Sequence, residues 1–169
     1  RLHLTQQILF LSGSHDFKIS RLHGGGLTLM KPDLEALNAY ILEVRDTAFM
    51  WHVFDCFMFT NTAYQRMFGV GYADSWIGKY IDSSGLYMKR EALRETFKAQ
   101  TLEEAIDRKL RRIDYVPPRG ALVTTKHARR WVISEALGIG VGSSAVFVGK
   151  SGLIQLPIED ISNAWVKDA

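Results

Sequence analysis

The sequence predicts an all-α array of antiparallel helix hairpins over residues 1–138, with residues 139–169 as a C-terminal extension packing on it. Three observations lead there. Leu34, Leu37, Ile41 and Val44 fall at helical spacing behind Pro32 and Asp33, a proline that suits a helix start and an aspartate that can cap it. The junction returns, since Met30-Lys31 is matched by Met88-Lys89, and Pro117 lies half that interval further on. A regular interval of this size is the signature of a helical repeat. Beyond residue 138 the character changes to β-prone runs around Gly-Lys-Ser-Gly.

Taken in order, residues 4–11 and 16–23 read as a first short helix pair, followed by the glycines at 24–26 as a loop. Residues 33–45 and 48–59 form the clearest hairpin, 62–69 and 74–83 a weaker one interrupted by Gly69 and Gly71, and 89–99 with 101–113 a charged one. Thr101 and Glu104 have the spacing of a capping box. Residues 124–137 continue as a helix ending at Gly138. "AVFVGKSGLIQLP" is a candidate β-hairpin, and "IEDISNAWVKD" a closing helix with Ile158, Ile161 and Trp165 on one side.

Composition sets bounds. The 169 residues suffice for one core, and 47% hydrophobic with 23% charged residues is ordinary for a globular chain. A single cysteine, Cys56, excludes an internal disulfide framework and a cysteine-rich metal site. The longest apolar run, "AFMWHVFDCFMF", is too short to span a bilayer. A formal charge of +3 suits an acidic partner without requiring nucleic acid. The sequence opens at Arg1, as it would after removal of a targeting segment or after trimming.

Several motifs suggest chemistry. "SAVFVGKSG" approaches a phosphate-binding loop, but Ser144 stands where the first glycine belongs and strand-like residues replace the helix that should follow, so a tight turn is expected. "GIGVGSS" follows a helix instead of opening one and reads as a connector. His52, Asp55 and Cys56 lie on the expected 48–59 helix, where a thiol and an imidazole could act as nucleophile and base. Without an orienting group they are expected to be packing residues, and His3, His15, His23 and His127 lack metal-ligand spacing. No catalytic residue, cofactor or metal ligand is therefore assigned. The 48–59 segment is apolar nearly all round, which nominates Trp51, Phe57 and Met58 as interface residues. The densest basic region runs from 108 to 130 and nominates Arg108, Arg111, Arg112, Arg129 and Arg130.

"GLTLMKPDLEALNAYI", "WHVFDCF" and "TLEEAIDRKLRRIDYVPP" resemble the junctions and second helices of pentatricopeptide-repeat (PPR) proteins. That family usually binds single-stranded RNA, one base per repeat. The positions that match its base readers hold Ala39, Arg66 and Glu95, which lack the usual reading chemistry. A short PPR-like array without that code is similar to the PPR-like accessory subunits on the catalytic head of euglenozoan mitochondrial ATP synthase. The resemblance implies a non-catalytic scaffold in the mitochondrial matrix, peripheral to the inner membrane and docked on the outside of the α subunit. The alternative it implies is an RNA-binding PPR protein or a component of a mitochondrial ribonucleoprotein, engaging RNA through residues 108–130.

Overall fold

The computed structural model describes residues 31–80, 90–127 and 135–168. It replaces the expected helical array with an α+β fold. Among the described residues four α-helices, α1 (Leu34–Val44), α2 (Cys56–Phe68), α3 (Arg90–Phe97) and α4 (Leu102–Asp107), accompany six strands. These are β1 (Arg111–Ile113), β2 (Leu122–Thr125), β3 (Ala136–Gly140), β4 (Ser144–Gly149), β5 (Gly152–Pro157) and β6 (Asn163–Val166). They form one antiparallel sheet in the order β1-β6-β2-β3-β4-β5.

The helix starts follow from their caps. Asp33 accepts from Ala36 N at 2.9 Å and opens α1. Thr101 accepts from Glu104 N at 3.1 Å and so caps α4, while Glu104 accepts from Gln100 N at 2.7 Å, one residue before the N–H a capping box would use. The expected 48–59 helix is displaced. Residues 50–54 close a tight loop, in which Met50 N donates to Phe54 O and Phe54 N to Met50 O, and the helix begins only at Cys56. Asp55 causes this, because its side chain accepts from Met58 N at 2.9 Å and so caps the helix there.

The expected 62–69 helix is the end of α2, and of the expected 74–83 helix the described residues hold only a 3-10 turn (Asp74–Trp76); the remaining corrections lie in the sheet. The segment expected to be a helix at 124–137 contributes to β2 and β3, and the end of the expected 101–113 helix is β1. The expected closing helix is a 3-10 turn (Ile158–Asp160) followed by β6. β-Branched residues favour this outcome, as in "LVTT" of β2, but the stronger cause is two-sided burial. Successive side chains alternate between faces. Leu122, Leu137, Ile139, Val146, Val148 and Trp165 join the helices in the main core, while Val123, Phe147, Ala164 and Val166 belong to a second cluster on the opposite face. The hairpin expected at 145–157 is present as β4 and β5, paired from Ser144↔Pro157 to Gly149↔Gly152. The expected helices at 4–11 and 16–23 lie outside the described residues.

Helices and sheet are joined by polar contacts as well as apolar ones. Leu122 N donates to the Tyr64 hydroxyl at 3.1 Å, tying α2 to β2. Trp165 Nε1 donates to Asp107 at 2.7 Å, tying β6 to α4. Gly138 is required where β3 meets β4, since a Cβ there would stand 2.4 Å from the Phe147 ring.

Candidate active site

The densest arrangement of chemically capable groups surrounds the start of α2. Asp55 is almost fully buried, and its two oxygens organise the surroundings. One accepts from Met58 N, and the other accepts from His52 N at 3.0 Å and from the Tyr80 hydroxyl at 2.7 Å. His52 stands at the tip of the 50–54 loop with φ of 64°, a left-handed conformation uncommon for a residue other than glycine. Its ring lies 5.6 Å from that of Tyr80. Thr60 Oγ1 donates to Cys56 O at 2.8 Å and closes the first turn.

Cys56 is the first residue of α2 and is half-buried. Its thiol is pushed up to about 11, first by burial and also by the Asp55 charge. Backbone N–H groups of Leu137, Phe57 and Cys56 itself act in the opposite direction and favour the thiolate. Burial outweighs them, so the resting group is a thiol. No hydrogen bond joins the His52 ring to the sulfur among the described residues.

Two residues before Leu137 on the same chain segment, roughly 7 Å along an extended backbone, stands Glu135. It is buried, and its Oε2 has no hydrogen-bond partner. Burial raises its pKa, and the neighbouring Glu103 carboxyl raises it further. Burial also works to raise Glu103, but hydrogen bonds, including that to Glu135, and the Arg112 charge prevail and lower it. Of the two carboxyls, Glu135 is therefore the one that keeps its proton to higher pH. Among the described residues no three His, Cys, Asp or Glu side chains gather as a metal site, and no helix is long and apolar enough to cross a membrane.

The residues nominated from sequence are dispersed. Phe57 is buried among Tyr72, Trp76 and Tyr80, with its ring 5.1 Å from Tyr80. Met58 packs partly against the main core, and Trp51 lies edge-on to Phe49 at 4.3 Å. Arg108 pairs with Glu104 at 2.7 Å and Arg111 with Asp168 at 2.9 Å. Arg112 grips Asp107 with two nitrogens and lies over the Trp165 ring. Burial works to raise the Asp107 carboxyl, yet Arg112 and the Trp165 N–H hold it below its usual range. These three arginines serve intramolecular contacts. Arg129 and Arg130 lie outside the described residues. Sequence reasoning missed Tyr80, Glu103 and Glu135. It placed His52, Asp55 and Cys56 on one helix, whereas a loop and a helix start bring them together. Asp55 followed by an apolar helix was the available signal, since Asp33 shows the same pattern.

Fold and site define an α+β domain that presents a thiol at a helix N-terminus against an antiparallel sheet. The chain belongs to the family described as Domain of unknown function (DUF6950), whose profile matches residues 31–166. Comparison with curated proteins finds no match. No PPR family is matched, and the PPR resemblance loses its support together with the helical array.

Proposed function

We propose that the chain is a thiol-dependent acyl hydrolase or acyl transferase in which Cys56 is the nucleophile. The observation that carries this reading is the position of the sulfur, on the first residue of α2 with three backbone N–H groups favouring its anion. Helix N-termini favour thiolates, and N–H groups directed at developing negative charge are what acyl-transfer chemistry uses. His52 is the proton acceptor. Its loop is held by Asp55, the same carboxylate that caps the thiol-bearing helix, and its ring lies beside Tyr80.

In the reaction the sulfur bonds to the acyl carbon while its proton passes to the imidazole, and the carbonyl π electrons move to oxygen. Collapse of this adduct breaks the bond to the leaving amine or alcohol, which takes the proton from the imidazolium and leaves a thioester. Water, or a second nucleophile, then attacks the thioester and restores the thiol. A thiol protonated at rest needs such a base, so His52 must approach the sulfur as substrate binds. Apo sites commonly tighten in this way. The accessory-subunit and RNA-binding expectations rested on a helix-hairpin array and draw no support from this fold.

The test is acylation by p-nitrophenyl acetate, followed by mapping of the acetyl group by mass spectrometry. The wild-type chain is expected to carry it on Cys56. Cys56→Ala should lose it, and His52→Asn, which tolerates the left-handed backbone, should slow it by about 100-fold or more. No adduct on Cys56, or an adduct whose rate His52→Asn leaves unchanged, overturns the assignment.

A further inference from the structure

A second site stands apart from Cys56. The 3-10 turn Asp74–Trp76, the end of α3 and the outer side of α4 enclose a depression of about 340 Å³. Trp76 and Phe97, with ring centroids 4.8 Å apart, provide its aromatic lining. Lys79, Lys98, Arg108 and Lys109 line it as well, and no carboxylate does. Arg108 is neutralised by Glu104 and also donates to Phe97 O at 3.3 Å. The three lysines are exposed and have no ion pair among the described residues.

Lys98 adds a backbone argument. It follows the last residue of α3 with φ of 54°. A left-handed residue after a helix is ordinarily glycine, because a Cβ is disfavoured in that conformation. Here the strained position carries a cation and lies on the rim of the depression. A lysine near the end of α3 also suits the helix dipole. Lys109 stands just past the end of α4, where the same dipole applies, and Lys79 just past the 3-10 turn Asp74–Trp76, so three separate chain turns bring their lysines to the same hollow.

We propose that this depression binds a small polyanion bearing two or more phosphate groups. Three unpaired lysines and one arginine exceed what a single carboxylate would balance. Lysine ammonium groups bind phosphate as mobile point charges, and the volume lies within the range of small-ligand sites. The aromatic pair excludes water from one wall. Trp76 itself is buried, so base stacking on it, as in single-stranded nucleic-acid binding, is not offered.

The experiment is isothermal titration of the whole chain with inorganic tripolyphosphate at about 25 mM and about 150 mM salt, repeated with ATP. Saturable binding at one site, weakened by salt, is expected. Lys98→Gly keeps the left-handed backbone and removes only the charge. It and Lys109→Gln should each weaken binding roughly 3–10-fold, and a triple variant with Lys79→Gln should abolish it. Tripolyphosphate and ATP binding equally would assign the phosphate chain as ligand, and tighter ATP binding a nucleotide. Absence of saturable heat with both, binding unchanged in a correctly folded triple variant, or binding only by a single-stranded RNA would overturn the proposal.

Discussion

Glu135→Gln should stabilise the protein at pH 8 and have little effect at pH 4. Glu135 lies 6% exposed beside Glu103, with one oxygen unpartnered, and Lys126 approaches only to 3.9 Å from a half-exposed position. Its folded pKa is raised, so the protonated form is the one that folding favours. The stability it contributes is therefore complete below the unfolded carboxylate range and is lost as pH rises through the folded value. Glutamine retains the shape and a donor towards Glu103 without a proton to lose. An uncompensated buried polar group costs about 1–3 kcal/mol, and at roughly 2–4 °C per kcal/mol for a domain of this size the variant should gain about 2–12 °C at pH 8. At pH 4, below the ordinary carboxyl value of 4.5 from which burial raises it, the wild-type carboxyl holds its proton and the difference should nearly vanish. Thermal unfolding followed by circular dichroism at the two pH values measures this. An equal difference at both, or a less stable variant at pH 8, refutes the shared-proton account.

Other substitutions test separate joints of the fold. Tyr64→Phe leaves the buried Leu122 N–H without its acceptor and should lower stability in urea unfolding by about 1–3 kcal/mol. Gly138→Ala brings a methyl group against the Phe147 ring and Val146 O and should cost roughly 1–3 kcal/mol in the same assay. Thr101→Ala removes the α4 cap and should cost about 1 kcal/mol, with faster amide exchange at Glu104. Alkylation of Cys56 by iodoacetamide in the free protein should keep accelerating above pH 9, because burial holds the thiol near 11; a plateau at neutral pH would contradict that environment.

Local chemistry was legible in the sequence where one short segment contained all of it. Asp33, Thr101 with Glu104, and the Gly-Lys-Ser-Gly hairpin each act within a few residues, and each stands where the sequence placed it. The sheet was hidden because the pairings that assemble it, β1 with β6 and β2 with β6, are remote and these three strands are brief. Arg111–Ile113 pairs with residues near the other end of the described chain, and three residues carry no periodicity of their own. The same remoteness hid the site. Glu135 meets Glu103 only through the sheet and α4, and the thiol meets Leu137 only because α2 lies on β3. Reading 48–59 as one helix overlooked Asp55 as a cap and so set His52 and Cys56 on a common helix instead of on either side of a helix start. The arginines misled for an electrostatic reason: a count of cations does not show which have carboxylate partners, and Arg108, Arg111 and Arg112 all do.

The strand order also has a consequence for synthesis. β6 lies between β1 and β2, with Arg112↔Trp165 on one side and Leu122↔Trp165 on the other. A ribosome delivers residues 111–113 long before residues 163–166, so β1 has no place in the sheet while translation of this segment continues. The hairpins of β2, β3, β4 and β5 can zip as they emerge, and Arg112 can reach Asp107 at once, but α4 must wait for the Trp165 indole before it is tied to the sheet. Nascent chains arrested before residue 163 should accordingly expose α4 and β1 to protease, and protection should arrive in one step once β6 clears the exit tunnel.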